Sequence, residues 1–86
     1  MDREILKRDL KELIVVECQK NHIQPDRIGD DDILIGSSGD LGLDSLDALQ
    51  IALAVKKKYG KRIDGGKATR MALKSVNSLA DFILAD

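Results

Sequence analysis

Apolar residues in this chain return every third or fourth position, and no stretch alternates convincingly with a period of two. An α-helix turns about 100° per residue, so this spacing gathers apolar side chains on one face, whereas a half-buried strand needs strict alternation. A sheet is therefore unfavoured as the organising layer, and the chain is expected to fold as packed helices around one core. That core must be aliphatic, because Tyr59 and Phe82 are the only aromatic residues. The 86 residues fit a single domain spanning 1–86. A domain this small buries somewhat over ~60% of the surface its unfolded chain exposes. Each fully buried aliphatic side chain contributes roughly 1.5–3 kcal/mol, enough for modest stability with neither metal nor disulfide.

The first helix is expected from about Arg3 to Asn21, following a charged start at Met1-Asp2-Arg3-Glu4. Leu6, Leu10, Leu13, Ile14 and Cys18 form its stripe, with Glu17 intruding near the centre, and Pro25 sets the stop because it disfavours helix at the preceding residue. Residues 23–43 form a long connection in which Ile33, Leu34 and Ile35 pin the chain to the core. Gly36-Ser37-Ser38-Gly39 reads as a flexible spacer and Gly42 as a turn. A second helix is expected from Asp44 to Tyr59, closed by Gly60. Leu46, Ala48, Leu49, Ile51, Ala52, Leu53, Val55 and Tyr59 cover more than half its circumference, which suits a central helix touched by several others. Its polar face carries Asp47, Gln50, Lys57 and Lys58, with Ala54 among them, while Lys56 falls inside the apolar arc and must snorkel. After a Gly65-Gly66 turn, Lys67 to Leu73 suggests a short third helix. The last helix starts at an N-cap Ser75 and places Val76, Leu79, Phe82 and Ile83 on one face. The expected fold class is all-α: a four-helix bundle of three main helices and one short third helix, with a long loop between helices one and two.

Charge narrows the functional classes. The net charge is −1, yet seven acids lie between Gln24 and Asp47 against one base, and five bases without an acid lie between Lys56 and Arg62. Nucleic acid is not an expected partner, since the basic run is short and no aromatic residue is interleaved to stack on bases. The single cysteine, Cys18, excludes an intrachain disulfide and reads as a small buried residue in a reducing compartment. No signal-like or membrane-spanning run is present, so a cytoplasmic, free-standing monomer is expected. His22 has no second histidine with which to bind metal. Asp30-Asp31-Asp32 fails the twelve-residue calcium-loop pattern for want of a downstream glutamate and reads as a solvated acidic loop.

The informative segment is Gly39-Asp40-Leu41-Gly42-Leu43-Asp44-Ser45-Leu46-Asp47. With Asp44 as N-cap, Ser45 falls on the first helical turn with its hydroxyl free to face solvent, and Asp47 adds a second carboxylate to that turn. An anion built on this hydroxyl would sit beside the helix N-terminus, favoured by about 0.3–1 kcal/mol when exposed and opposed by the two carboxylates.

The Asp44-Ser45-Leu46 triplet, with its Gly-Asp-Leu-Gly approach, the helix closing at Tyr59-Gly60, the short third helix and the final helix led by Ser75-Val76, resembles the acyl carrier protein family over nearly the whole chain. The resemblance implies an acyl-carrier-like bundle in which Ser45, flanked by Asp44 and Leu46, carries covalent 4′-phosphopantetheine derived from coenzyme A. It implies a phosphopantetheinyl transferase working with magnesium, for which Asp44 and Asp47 help position enzyme and metal. Further partners are enzymes that transfer or modify acyl groups in a fatty-acid, lipid or specialised-metabolite pathway. The chain itself is then not an enzyme: acyl groups ride as thioesters on the arm and withdraw into a groove lined by residues such as Leu49, Ala52 and Leu53. Partner contacts are expected at Asp47, Gln50, Ala54, Lys57 and Lys58. Family members usually present an acidic second helix. Gln50 and Lys56-Lys57-Lys58 depart from that pattern, as does a longer loop before Ser45, and they suggest a specialised carrier with its own partners in place of the housekeeping one. A carrier of aminoacyl groups stays open, as does an unmodified helical adaptor. A hydrolase using Ser45 lacks a credible general base.

Overall fold

All four helices form in the computed structural model, which describes residues 2–20, 22–35, 42–63 and 66–85. Helix α1 spans Arg3–Glu17, α2 Ser45–Tyr59, α3 Lys67–Ala72 and α4 Val76–Leu84, with a 3₁₀ turn at Pro25–Arg27 in the long connection. Among the described residues no strand occurs, and Ile35 and Leu43 form one isolated parallel bridge. The protein is an all-α four-helix bundle in which α1 packs on α2 and α4, and α3 on α4.

Asp2 starts α1 by accepting the amide hydrogens of Glu4 at 2.8 Å and Ile5 at 3.3 Å. Leu6, Leu10, Leu13, Ile14 and Cys18 are buried as their spacing predicts, and Val15 joins them. The helix stops at Glu17, earlier than Pro25 alone suggests. Gln19 takes the left-handed conformation with φ 55°, Lys20 N–H donates to Val15 O at 2.9 Å, and Gln19 N–H donates to Val16 O at 3.2 Å. This pair of bonds is a Schellman stop, a position where glycine is usual because an L side chain crowds the next carbonyl. Glu17 interrupts the stripe on paper, but it is the last helical residue and faces solvent. Pro25 instead opens the 3₁₀ turn.

Gln19→Gly is therefore expected to stabilise the fold. Relief of the left-handed strain, about 1–2 kcal/mol, should outweigh the roughly 0.4–1 kcal/mol that glycine adds to unfolded-chain freedom. A rise in the urea midpoint at unchanged slope is the expected reading, and a fall would contradict this stop.

The long connection is tied down. Ile28 and Leu34 are 2% and 0% exposed, whereas Ile35 is half-buried and Ile33 remains 48% exposed. Leu34 N–H donates to Lys74 O at 3.3 Å, and Asn77 N–H donates to Asp30 O at 3.0 Å, which binds the loop to the start of α4. The acidic triplet is not a merely solvated loop, as its composition suggests. Asp30 accepts Lys7 at 2.8 Å and Lys11 at 2.7 Å, Asp31 accepts Asn77 Nδ2 at 2.7 Å, and Asp32 accepts Gly29 N–H at 2.8 Å. Arg3 reaches both Asp81 and the side-chain oxygen of Asn77, so α1, the loop and α4 share one polar knot. The spacer Gly36 to Gly39 lies outside the described residues.

Lys11 and Lys7 hold the Asp30 carboxylate below its usual range, and Asp30 in turn raises Lys7. A carboxyl group whose pKa is depressed on folding stabilises above its unfolded value and loses that contribution as pH falls through the folded one. A lysine whose pKa is raised loses its contribution as pH rises through the folded value. The window is thus roughly pH 4 to pH 10, bounded by ordinary Asp and Lys behaviour. Asp30→Asn should lower Tm inside that window, and the gap from wild type should close in strong acid. A gap that stayed constant with pH would contradict the pairing.

Asp44 caps α2, and Gly60 closes it at φ 71°, a conformation open to glycine without strain. Ala48, Ile51 and Val55 face the core, while Ala52, Ala54 and Tyr59 are half-buried beside them. Leu46, Leu49 and Leu53 point the other way and are 70%, 55% and 56% exposed. The expectation of a central helix enclosed by several others is corrected: helices cover only one side of α2. Lys56 is exposed, and Ala54 leans on the core instead of standing on a polar face. In α4, Val76, Leu79, Ala80 and Ile83 are buried and Phe82 packs at the edge, with Ser75 capping by accepting Ser78 N–H at 3.1 Å.

Candidate functional site

The start of α2 is built by a reciprocal cap. Asp44 Oδ1 accepts Asp47 N–H at 3.0 Å, and Asp47 Oδ2 accepts Asp44 N–H at 3.1 Å. The Asp47 amide holds the Asp44 carboxylate below its ordinary range. Both carboxylates are thereby committed to the backbone, and the cap uses neither side chain of the two residues between them, Ser45 and Leu46. Ser45 is the first helical residue, is exposed, and its hydroxyl has no hydrogen-bond partner among the described residues. Gly42, at φ 61° with open space around it, turns the chain into this cap.

Below the turn lies Cys18, which caps the end of α1 with its sulfur 3.8 Å from Asp47 O. Burial, helped by the nearby Asp47 carboxylate, pushes its thiol up to about 11, so it is not a nucleophile at neutral pH. Among the described residues no group of three or more His, Cys, Asp and Glu side chains could hold a metal ion. None of the described helices is long and apolar enough to cross a membrane.

Ser45 opens onto a groove of about 390 Å³ between the loop, α2 and α3. Its lining is Ile33, Ile35 and Ala48 on one side and Thr69, Arg70, Leu73 and Lys74 on the other. Leu49, Ala52 and Leu53, expected to line such a groove, do not take part. Sequence reasoning missed the wall formed by α3 and the residues just after it, where Leu73 is the buried residue and Arg70 and Lys74 are exposed. The spacing of a six-residue helix carries too little periodicity to show which face turns toward α2.

Of the other expected site residues, Leu46, Gln50, Lys57 and Lys58 are exposed on α2, and Asp47 is half-buried by its cap. Leu46, Leu49, Leu53 and Lys57 share the side of the helix opposite Ile51 and Val55, since each turn of about 100° returns them to one stripe. Ala54 is not part of that exposed stripe.

Ser45 thus presents an exposed hydroxyl, without a hydrogen-bond partner among the described residues, on the first turn of α2 beside a largely apolar groove. The family model described as phosphopantetheine attachment site matches residues 3–83. The chain belongs to that family, an acyl carrier protein-like one, and its cofactor is covalently attached 4′-phosphopantetheine. Carrier domains of this kind meet phosphopantetheinyl transferases and acyl-handling enzymes, and they are in general not catalysts themselves. No curated protein matches the chain. The site fits such a group: the hydroxyl is open, its neighbours' carboxylates are spent on the helix cap, and apolar surface adjoins it.

Proposed function

We propose that this protein is a non-catalytic acyl carrier whose Ser45 Oγ takes the 4′-phosphopantetheine arm from coenzyme A, with Asp44 and Leu46 framing the acceptor. The observation that carries the reading is the unengaged, exposed Ser45 hydroxyl on a turn fixed by its neighbours. In the transfer, the bond from Oγ to phosphorus forms as the pyrophosphate bond of coenzyme A breaks, and the nucleotide half leaves with the transferase taking the proton. The arm supplies a thiol that holds acyl groups as thioesters.

The chain's own residues set the conditions for that work. The Asp44–Asp47 cap fixes the acceptor's direction and leaves Ser45 without a base of its own, which favours a carrier over a hydrolase. The groove walls of Ile33, Ile35, Ala48 and Leu73 give an acyl chain a place out of water. Partner enzymes are read by Leu46, Gln50, Lys57 and Lys58, joined by Leu49 and Leu53 and helped by Asp47 at the rim. The lysines at the end of α2 steer acidic partners and disfavour basic ones, so we place the protein in a specialised pathway with a dedicated partner set. The intracellular location proposed is the cytoplasm, where coenzyme A and reduced thiols are supplied.

Incubation with coenzyme A, magnesium and a broad-specificity transferase, followed by intact-mass measurement, tests the reading. One added phosphopantetheine is expected. An unchanged mass would favour the second reading, an unmodified adaptor, for which the exposed leucine stripe is the specific support.

A further inference from the structure

Several basic side chains find an acceptor on this chain: Arg3 at Asp81, Lys7 and Lys11 at Asp30, and Lys61 at the Ala85 carbonyl. Arg70 and Lys74 do not. Neither side chain has an ion-pair partner among the described residues, and both line the groove that Ser45 opens onto. The opposite wall is apolar, no carboxylate is among the described residues that line the groove, and Asp44 and Asp47 are bound to each other's amides in the α2 cap.

We propose that Arg70 and Lys74 form an intramolecular anion site for the phosphodiester that joins the arm to the protein, an inference that rests on Ser45 being the attachment point. A phosphodiester carries one negative charge at neutral pH. Placed on Ser45, it faces repulsion from Asp44 and Asp47, which the helix terminus offsets only in part because the Asp47 amide is already taken. Cations on the α3 side of the groove balance that charge. Arg70 and Lys74 are then positioning residues. They draw the first atoms of the arm along the groove, so that its apolar carbons meet Ile35 and Leu73.

The unacylated holo protein isolates this effect, because the phosphodiester is the arm's only anion. Its single ³¹P resonance and the Tm gain from apo to holo are the readouts, compared between wild type and R70Q/K74Q after intact mass confirms complete loading of both. Wild type is expected to show a broader, shifted ³¹P line and a positive Tm gain. That gain should fall by at least about half as salt rises from roughly 0.01 M to 1 M, where the Debye length drops from about 30 Å to about 3 Å. In R70Q/K74Q the line should narrow and the gain vanish, while R70K/K74R should keep both. Both altered side chains are exposed, so the apo variants should keep the wild-type circular dichroism. Identical ³¹P lines and Tm gains in wild type and R70Q/K74Q would overturn this site and leave the carrier reading standing. Failure of wild type to take up the arm at Ser45 would overturn both.

Discussion

Leu34→Ala should unfold a large fraction of the protein's stability in one step. Leu34 is 0% exposed and holds the long connection against the α3–α4 junction, where its amide also donates to Lys74 O. Truncating a buried leucine costs about 2–5 kcal/mol, counting both lost transfer energy and the cavity left behind. A chain of 86 residues at 0.05–0.15 kcal/mol per residue has roughly 4–13 kcal/mol in total. The urea midpoint is expected to drop accordingly. Because Leu34 sits between Ile33 and Ile35 of the groove wall, proton NMR should show the largest shifts around Ser45 and Leu73. A loss below about 1 kcal/mol, the range of ordinary surface changes, would show that the loop is not anchored as described.

Leu49→Asp and Leu53→Asp, made together, should have the opposite signature. Both leucines are more than half exposed on the side of α2 away from the core, so stability should move by no more than about 0.5 kcal/mol per site. Loading of Ser45 by the transferase should nonetheless slow by about 30-fold or more, as expected when a docking surface loses about 2 kcal/mol of apolar contact. The measurement is kcat/KM for phosphopantetheine transfer alongside the urea midpoint of the apo form. An unchanged rate would remove the leucine stripe from the partner surface. A collapse of stability would mean that the stripe belongs to the core after all.

These two leucine classes mark where the sequence is legible and where it is not. Periodicity revealed each helix, and capping chemistry located Asp44, Ser45, Gly60 and Ser75, because those signals act within a turn or two. The buried stripes of α1 and α4 follow from the same arithmetic, since each shows one narrow apolar face. On α2 the apolar arc is too wide for that logic. A wheel gives angles but not neighbours, so it cannot tell that Ile51 meets the core while Leu49 meets water. The end of α1 was hidden because a glutamine occupies the left-handed position usually signalled by glycine. The polar knot of Arg3, Asp30 and Asn77 was hidden by distance along the chain: its partners lie on α1, the loop and α4. The groove beside Ser45 was misread for the same reason, as half of its lining comes from α3 and the two residues that follow it.

The start of α2 was more legible than its surroundings. The Asp44-Ser45-Leu46 triplet states a helix start and an unspent hydroxyl in consecutive residues, and the fold supplies both. What the triplet does not state is why the hydroxyl stays unspent. The reciprocal bonds between Asp44 and Asp47 satisfy the two amides that would otherwise compete for a serine oxygen.

The most direct measurement is localisation of the adduct by fragmentation mass spectrometry after reaction with coenzyme A and a transferase, run on wild type and Ser45→Ala in parallel. The account predicts one phosphopantetheine on Ser45 in wild type and none on the variant, whose circular dichroism should be unchanged. An adduct on Ser37 or Ser38, or a variant that is loaded as readily as wild type, would contradict it.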